Sequence, residues 1–239
     1  MTIKVLCLNI WYGGKIRDAL CDFVKTQDAD ILLLQEVYED ENLFPHYPNR
    51  HYAGEVLHLM DGRRRVVGNA IYSKYPITAS HIEFLFEPFG IGDESKRETF
   101  PFWPINLESA LVDLGQTQLN VFNIHGVWGE DGNDNERRLK MSEKIIAAVK
   151  EKKHVVLAGD FNTDERTKTI GNIEQYLTNI FKGERETSFN MKRKNPPGTY
   201  GLAIVDFIFV SPDIKVLSHA SPDVDISDHL PLLATLQIN

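Results

Sequence analysis

The chain has 239 residues, 42% hydrophobic and 25% charged, a composition that suits a globular protein with one large core or two small ones. With 34 Asp and Glu against 26 Lys and Arg, its formal net charge is -8, which counts against coating long duplex nucleic acid by charge alone. Its two cysteines, Cys7 and Cys21, form no Cys-x-x-Cys pair, so there is no disulfide framework and no zinc or thiol-redox motif.

The apolar runs are short, rich in Val, Ile and Phe and bounded by turn residues, which is the pattern of strands. The first, 3–11, is entered directly, with no basic-then-apolar leader, and no apolar stretch approaches bilayer length. A cytoplasmic setting with no integral membrane segment is therefore expected. A helix follows over 15–29, with Ile16, Ala19, Leu20, Phe23 and Val24 on one face. Strands are expected over 31–37, 51–60, 67–73 and 77–86, with the basic run Arg63-Arg64-Arg65 between the second and third of these.

Segment 84–104 carries Phe84, Phe86, Phe89, Phe100, Phe102 and Trp103 among three prolines, with a charged centre from Asp93 to Glu98. Prolines at both flanks argue against a continuous helix or a central strand. A long loop pinned by its own aromatics and a substrate-facing rim that stacks on bases or touches lipid are both open readings. Strands 106–114 and 118–125 flank a hairpin turn at Gly115 to Thr117. A helix over 134–151 turns Leu139, Met141, Ile145, Ile146 and Val149 inward, and a strand follows over 154–160. A third helix is expected at about 167–180, a second basic run at Lys192-Arg193-Lys194, and strands over 205–211, 214–219 and 231–238. No linker or internal repeat interrupts the chain, so 1–239 is expected to form a single domain with no protein partner indicated.

Polar residues stand at the ends of several of these strands. Asn9, Glu36 and His125 each follow an apolar run; Asp160 and Asn162 lie in Gly159-Asp160-Phe161-Asn162; Asp228 and His229 open the last strand. Asp206 lies inside Ile204-Val205-Asp206-Phe207-Ile208-Phe209-Val210, where an ionised carboxylate is costly unless paired. A histidine ring N–H is its natural partner. Each residue alone could serve structure only, but their shared position at strand ends suggests one site. Carboxylates and amides suit a hard cation such as Mg²⁺ or Mn²⁺, not zinc. Gly13-Gly14-Lys15 is too short for a Walker phosphate loop, and there is no Gly-x-Ser-x-Gly elbow.

The ordered set resembles the endonuclease/exonuclease/phosphatase superfamily, the DNase I-like metal-dependent phosphoesterases. It runs through Leu8-Asn9-Ile10-Trp11, Leu34-Gln35-Glu36-Val37, Gly68 to Ile77, Asn123-Ile124-His125, Gly159 to Asn162, Val205 to Val210 and Ser227-Asp228-His229-Leu230-Pro231. The resemblance implies a four-layer α/β/β/α sandwich of two mainly antiparallel sheets, with the site at one rim. It also implies Glu36 as principal metal ligand, with Asn9 and Asp228 near the same ion. Asp160 and Asn162 would position the attacking water and the scissile phosphate. Asp206 would orient His229, and His125 would be a second phosphate-side or leaving-group histidine. Whether Asp160 or His229 takes the water's proton stays open.

Three departures bear on the substrate. Ile204 stands where nuclease members often carry Arg, the strand around Glu108-Ser109-Ala110 lacks an arginine found in several relatives, and Trp11-Tyr12-Gly13 replaces the Asn-Gly-Leu of abasic-site endonucleases. The implied activity is Mg²⁺-dependent phosphodiester hydrolysis, with Mn²⁺ as a substitute ion. A nucleic-acid substrate leads; a phospholipid, as for sphingomyelinases, or an inositol phosphate is the alternative. A catalytically silent binding module is the rival from another class.

Overall fold

The computed structural model describes residues 1–60, 63–93, 96–194 and 198–238. Glu94 and Ser95, inside the expected charged centre, lie outside the described residues. The strands are β1 (Thr2–Asn9), β2 (Ile31–Tyr38), β3 (Asn49–Met60), β4 (Arg63–Ser73), β5 (Ile77–Phe84), β6 (Gly90–Asp93) and β7 (Asn106–Asp113). They continue with β8 (Gln118–His125), β9 (Val155–Asp160), β10 (Thr178–Asn179), β11 (Asp206–Val210), β12 (Ile214–Ala220) and β13 (Leu232–Ile238). The helices are α1 (Arg17–Gln27), α2 (Glu136–Val149) and α3 (Lys168–Ile173).

One sheet runs β12-β13-β1-β2-β4-β3-β6 and the other β10-β11-β9-β8-β7-β5. Only β1–β2, β3–β6 and β8–β9 pair in parallel among the described strands; the other neighbours are antiparallel. The alternation of side chains along each strand builds the layers. Val5, Cys7, Ile31, Leu33 and Ile71 of the first sheet meet Val121, Val156, Ala158 and Ile208 of the second in the central core. Their sequence neighbours Leu6, Leu8, Leu32, Leu34 and Tyr72 point the other way, onto Leu20 and Val24 of α1. Phe122, Ile124, Leu157 and Phe209 likewise face outward onto Met141 and Ile145 of α2 and Ile170 of α3. The central strands are covered on both faces, which is why they read as nearly continuous apolar runs. The result is an α/β/β/α sandwich of two mainly antiparallel sheets.

Several local expectations differ. The third helix stops at Ile173, and residues 178–179 form β10 on the edge of the second sheet. In α1, Ala19 is exposed, so Leu20 and Val24 carry the buried face. In α2 the buried face is Arg138, Met141, Ser142, Ile145 and Val149, while Leu139 and Ile146 are only partly covered. Arg138 is tolerated inside because its Nε donates to Val127 O (3.1 Å) and its Nη1 donates to Asn133 O. Segment 84–104 contains the short edge strand β6 and a 3₁₀ turn, Arg97–Phe102, with Pro101 inside it. An edge position is where flanking prolines are tolerated.

Candidate active site at the rim of the two sheets

The parallel pairs β1–β2 and β8–β9 end their strands at the rim where the sheets meet. Asn9 closes β1, His125 closes β8 and Asp160 closes β9. Because β11 runs antiparallel to β9, its first residue, Asp206, lies in register with Asp160; His125 is the parallel-register partner of Asp160 on the other side. The Asn9 amide spans the sheets, donating from Nδ2 to Glu36 Oε1 (3.0 Å) and to Asp160 Oδ2 (3.2 Å).

Glu36 is brought to the rim by strain. It sits in a register shift between Leu34 and Val37 with φ +60°, a conformation that costs a residue with a side chain about 1–2 kcal/mol. The turn after β1 compensates. Trp11, Tyr12, Gly13 and Gly14 all have positive φ, and this brings the Tyr12 N–H to Glu36 Oε2 (2.9 Å) and the Gly13 N–H to Glu36 O (2.8 Å). A Cβ on Gly13 would lie 2.1 Å from the Tyr38 ring, so the turn needs glycine there. Gly159 is fixed in the same way. Its φ is +152°, and a Cβ would lie 1.9 Å from Ile124 O.

Asn162 adopts φ +52°, which asparagine tolerates, and its N–H donates to Asp160 Oδ1 (2.8 Å). That Asx turn explains the Asp-x-Asn spacing. Asp228 and His229 lie on a loop stitched to residues 188–190: Asn190 N–H donates to Asp228 O (2.9 Å), and Leu230 N–H donates to Ser188 O (2.8 Å). The Ser227 hydroxyl donates to Asn9 O (2.6 Å), tying the loop to β1.

His229 is buried, and its Nδ1 lies 2.9 Å from Asp206 Oδ2. Its Nε2 is 3.7 Å from Asp160 Oδ2 and 2.7 Å from Lys194 Nζ. Burial by itself would lower the imidazole pKa, but Asp206 and Asp160 outweigh it and raise it to about 9. Burial would raise Asp160, yet His229, His125 and Lys194 together hold its carboxyl below the usual carboxylate range. His125 Nε2 is 3.7 Å from Asp160 Oδ2, and its Nδ1 is 3.9 Å from Glu55 Oε2. Burial pushes the Glu55 carboxyl well above its ordinary value, against the Asn106 N–H and the Asn69 amide that hold it. Glu55 was not picked out in the sequence. Its signal was the one Asp206 gave, a lone carboxylate inside a strand.

Asp160, Asp206 and His229 present ligand-type atoms within 4.8 Å of one another. Within this trio the His229 Nδ1 is already engaged by Asp206. Glu36 and Asp228 bring carboxylate oxygens to the same cleft, the donor chemistry that fits Mg²⁺ or Mn²⁺, while Asn9 turns its Nδ2 to Glu36 and its Oδ1 accepts from the Trp11 N–H (3.0 Å).

Glu36, Asp160, Asp228 and His229 line a cleft of about 850 Å³ with an aromatic wall. All three tryptophans of the chain, Trp11, Trp103 and Trp128, line it, together with Tyr12, Phe100 and Tyr200. Segment 84–104 therefore contributes Phe100 and Trp103 to the cleft, while Phe102 is 67% exposed and is not part of the lining. Arg65 of the first basic run pairs with Asp40 and Glu41, and Lys192 and Arg193 of the second pair with Asp223 and Asp225. No helix among the described residues is long and apolar enough to cross a membrane.

Residues 6–229 match the family model described as the Endonuclease/Exonuclease/phosphatase family. No curated protein sequence matches the chain. Among solved structures, the endonuclease/exonuclease/phosphatase from Bacteroides vulgatus is similar, with 21% identity, a TM-score of 0.75 and full coverage of both chains. The mannosyl-6-phosphatase of Bacteroides thetaiotaomicron is 17% identical, with a TM-score of 0.74 over 99% of this chain and 100% of its own. The TDP2 of D. rerio, complexed with a single-strand DNA product, is 15% identical, with a TM-score of 0.70 over 99% of each chain. At these identities the three structures establish a shared fold.

Proposed function

Because the chain belongs to the endonuclease/exonuclease/phosphatase family, we propose that it is a divalent-metal-dependent hydrolase of phosphodiesters. Mg²⁺ is the working ion, replaceable by Mn²⁺, and a single-stranded nucleic acid is the leading substrate. The observation that carries this reading is a complete donor set at one cleft: Glu36, Asp160, Asn162, Asp228 and His229 line it, and Asn9 and Asp206 stand behind them, bonded to Glu36 and Asp160 and to His229. A silent binding module would be expected to have lost part of it.

Glu36 would hold the ion, with Asn9 and Asp228 beside it. When bound, the ion neutralises charge on the phosphoryl oxygens. The remaining chemistry belongs to side chains. Asp160 and Asn162 orient the attacking water and the phosphate. Asp206 fixes the ring of His229 so that Nε2 faces the reacting group, as base when neutral or as phosphate donor when charged. His125 approaches Asp160 from the opposite side and serves the leaving group. The aromatic wall supports a base-bearing substrate, since stacking of one base on an aromatic contributes about 1–3 kcal/mol. The net charge of -8 and the pairing of Arg65, Lys192 and Arg193 with carboxylates argue against a long duplex.

Phosphoester hydrolysis at a phospholipid headgroup is a second reading. It is favoured by Phe89, Ile91 and Phe102, which are 46%, 70% and 67% exposed on a segment that also contributes to the cleft. A panel of bis-p-nitrophenyl phosphate, single-stranded and duplex DNA and RNA, sphingomyelin vesicles, and sugar and inositol phosphates, each with Mg²⁺, Mn²⁺ or EDTA, tests both. Metal-dependent turnover of single strands is expected. If no member of the panel is hydrolysed, the enzyme reading fails and the binding module takes its place.

A further inference from the structure

Lys194 stands among the acid–base groups with no evident structural task. Its Nζ is 2.7 Å from His229 Nε2 and 3.4 Å from Asp228 Oδ2, and it lies 4.5 Å from the centre of the Phe189 ring. The two other cations of the same run are held by carboxylates, although Arg193 also lines the cleft. Lys192 Nζ meets Asp223 Oδ1 at 3.2 Å, and Arg193 grips Asp225 with Nε at 2.7 Å and Nη2 at 2.6 Å. The main chain fixes this division of labour, because the Arg193 and Lys194 N–H groups both donate to Asn190 O at 2.9 Å and the loop turns back over the site.

An ammonium group against an imidazole nitrogen is poorly matched. It carries three donors, and a ring nitrogen and the edge of one carboxylate leave them incompletely matched. A phosphoryl oxygen in the cleft would offer it a charge-assisted hydrogen bond, which is about twice as strong as a neutral one. His229 Nε2 would then be free to face the same group. Resting on the phosphoester reading above, we infer that Lys194 is a phosphoryl-binding residue, leaving His229 to grip a non-bridging oxygen when the substrate or product phosphate enters. The cation lies against Asp228 and His229 in the cleft that Glu36 also lines. The ion near Glu36 and the ammonium of Lys194 would then both face the phosphate. Lys194 is then the specificity contact of a site whose other cations are spent on surface carboxylates.

The test measures equilibrium binding of inorganic phosphate to the Mg²⁺-loaded protein, separately from turnover. Lys194→Met should raise the phosphate dissociation constant about 10- to 100-fold, the effect of losing one hydrogen bond between charged groups. Lys194→Arg should recover most of that loss. Lys192→Met removes the same unit charge two residues away and should stay within about twofold of wild type, so a bulk charge effect is separated from a contact. If the wild type binds no phosphate, or if Lys194→Met binds it as well as wild type, the inference is overturned. Absence of turnover in a protein that still binds phosphate through Lys194 would instead sink the hydrolase reading and leave this contact standing.

Discussion

Asp206→Asn is the sharpest probe of the site, because it changes a charge and almost no volume. Asp206 Oδ2 is 2.9 Å from His229 Nδ1, both residues are buried, and this carboxylate is the main group raising the imidazole against its burial. The rise from the ordinary 6.5 to about 9 corresponds to about 3 kcal/mol of preference for the charged ring. A base whose pKa is raised on folding adds stability that is fully present below pH 6.5 and is lost as pH rises through about 9. In Asp206→Asn the burial of His229 remains, and only the more distant Asp160 still favours its proton. The His229 midpoint in metal-free protein, followed by NMR titration of its ring, should fall to 6.5 or below. Urea unfolding at pH 6.5 should show a loss of about 3 kcal/mol relative to wild type that shrinks at pH 10. Turnover near neutrality should drop by about 10² or more, since the ring loses its orienting partner. A midpoint that stays near 9 would refute the assignment of Asp206 as the group that holds His229.

Glu36→Gln should leave the fold intact, because its amide can still accept from the Tyr12 N–H, while the Mg²⁺ concentration for half-maximal activity rises about tenfold or more; an unchanged titration would remove Glu36 as ligand. Phe100→Ala and Trp103→Ala should raise KM more than they lower kcat, whereas Phe102→Ala should leave KM for soluble substrates unchanged, and equal effects from all three would mean the wall does not touch substrate. Arg138→Met leaves Val127 O and Asn133 O without their buried donor, so a stability loss of about 2–5 kcal/mol is expected in chemical denaturation, and a loss below about 0.5 kcal/mol would show that water replaces it.

The strand ends were legible because they break a strong pattern. Runs such as Leu6-Cys7-Leu8 and Val155-Val156-Leu157 are buried on both faces, so a carboxylate or amide at their tips stands out as a cost that needs a reason. The aromatic segment was harder. Its prolines correctly argued against a central strand, but no periodicity marks an edge strand as short as β6 or tells which rings turn inward. Phe100 and Phe102 are two residues apart, and only the 3₁₀ turn sends one to the cleft and the other to solvent. Lys194 was hidden for a different reason. In the sequence it is one of three adjacent cations that read as a solvated patch, and only tertiary pairing separates it from Lys192 and Arg193. Trp128, Tyr200 and Glu55 come from three distant parts of the chain, so no local window could have joined them.

The amide of Asn9 has a consequence for how the ion would arrive. A carboxylate at that position would add a third negative charge between Glu36 and Asp160 and drive the two sheet rims apart in the absence of metal. A neutral donor does the reverse, bridging the two carboxylates with one nitrogen. The metal-free protein is thereby preorganised. Loading it would exchange one hydrogen bond for coordination and would not have to order a loop. Added Mg²⁺ should accordingly raise the melting temperature only as mass action on a ready-made site demands, with little change in the amide exchange of β1, β2 and β9.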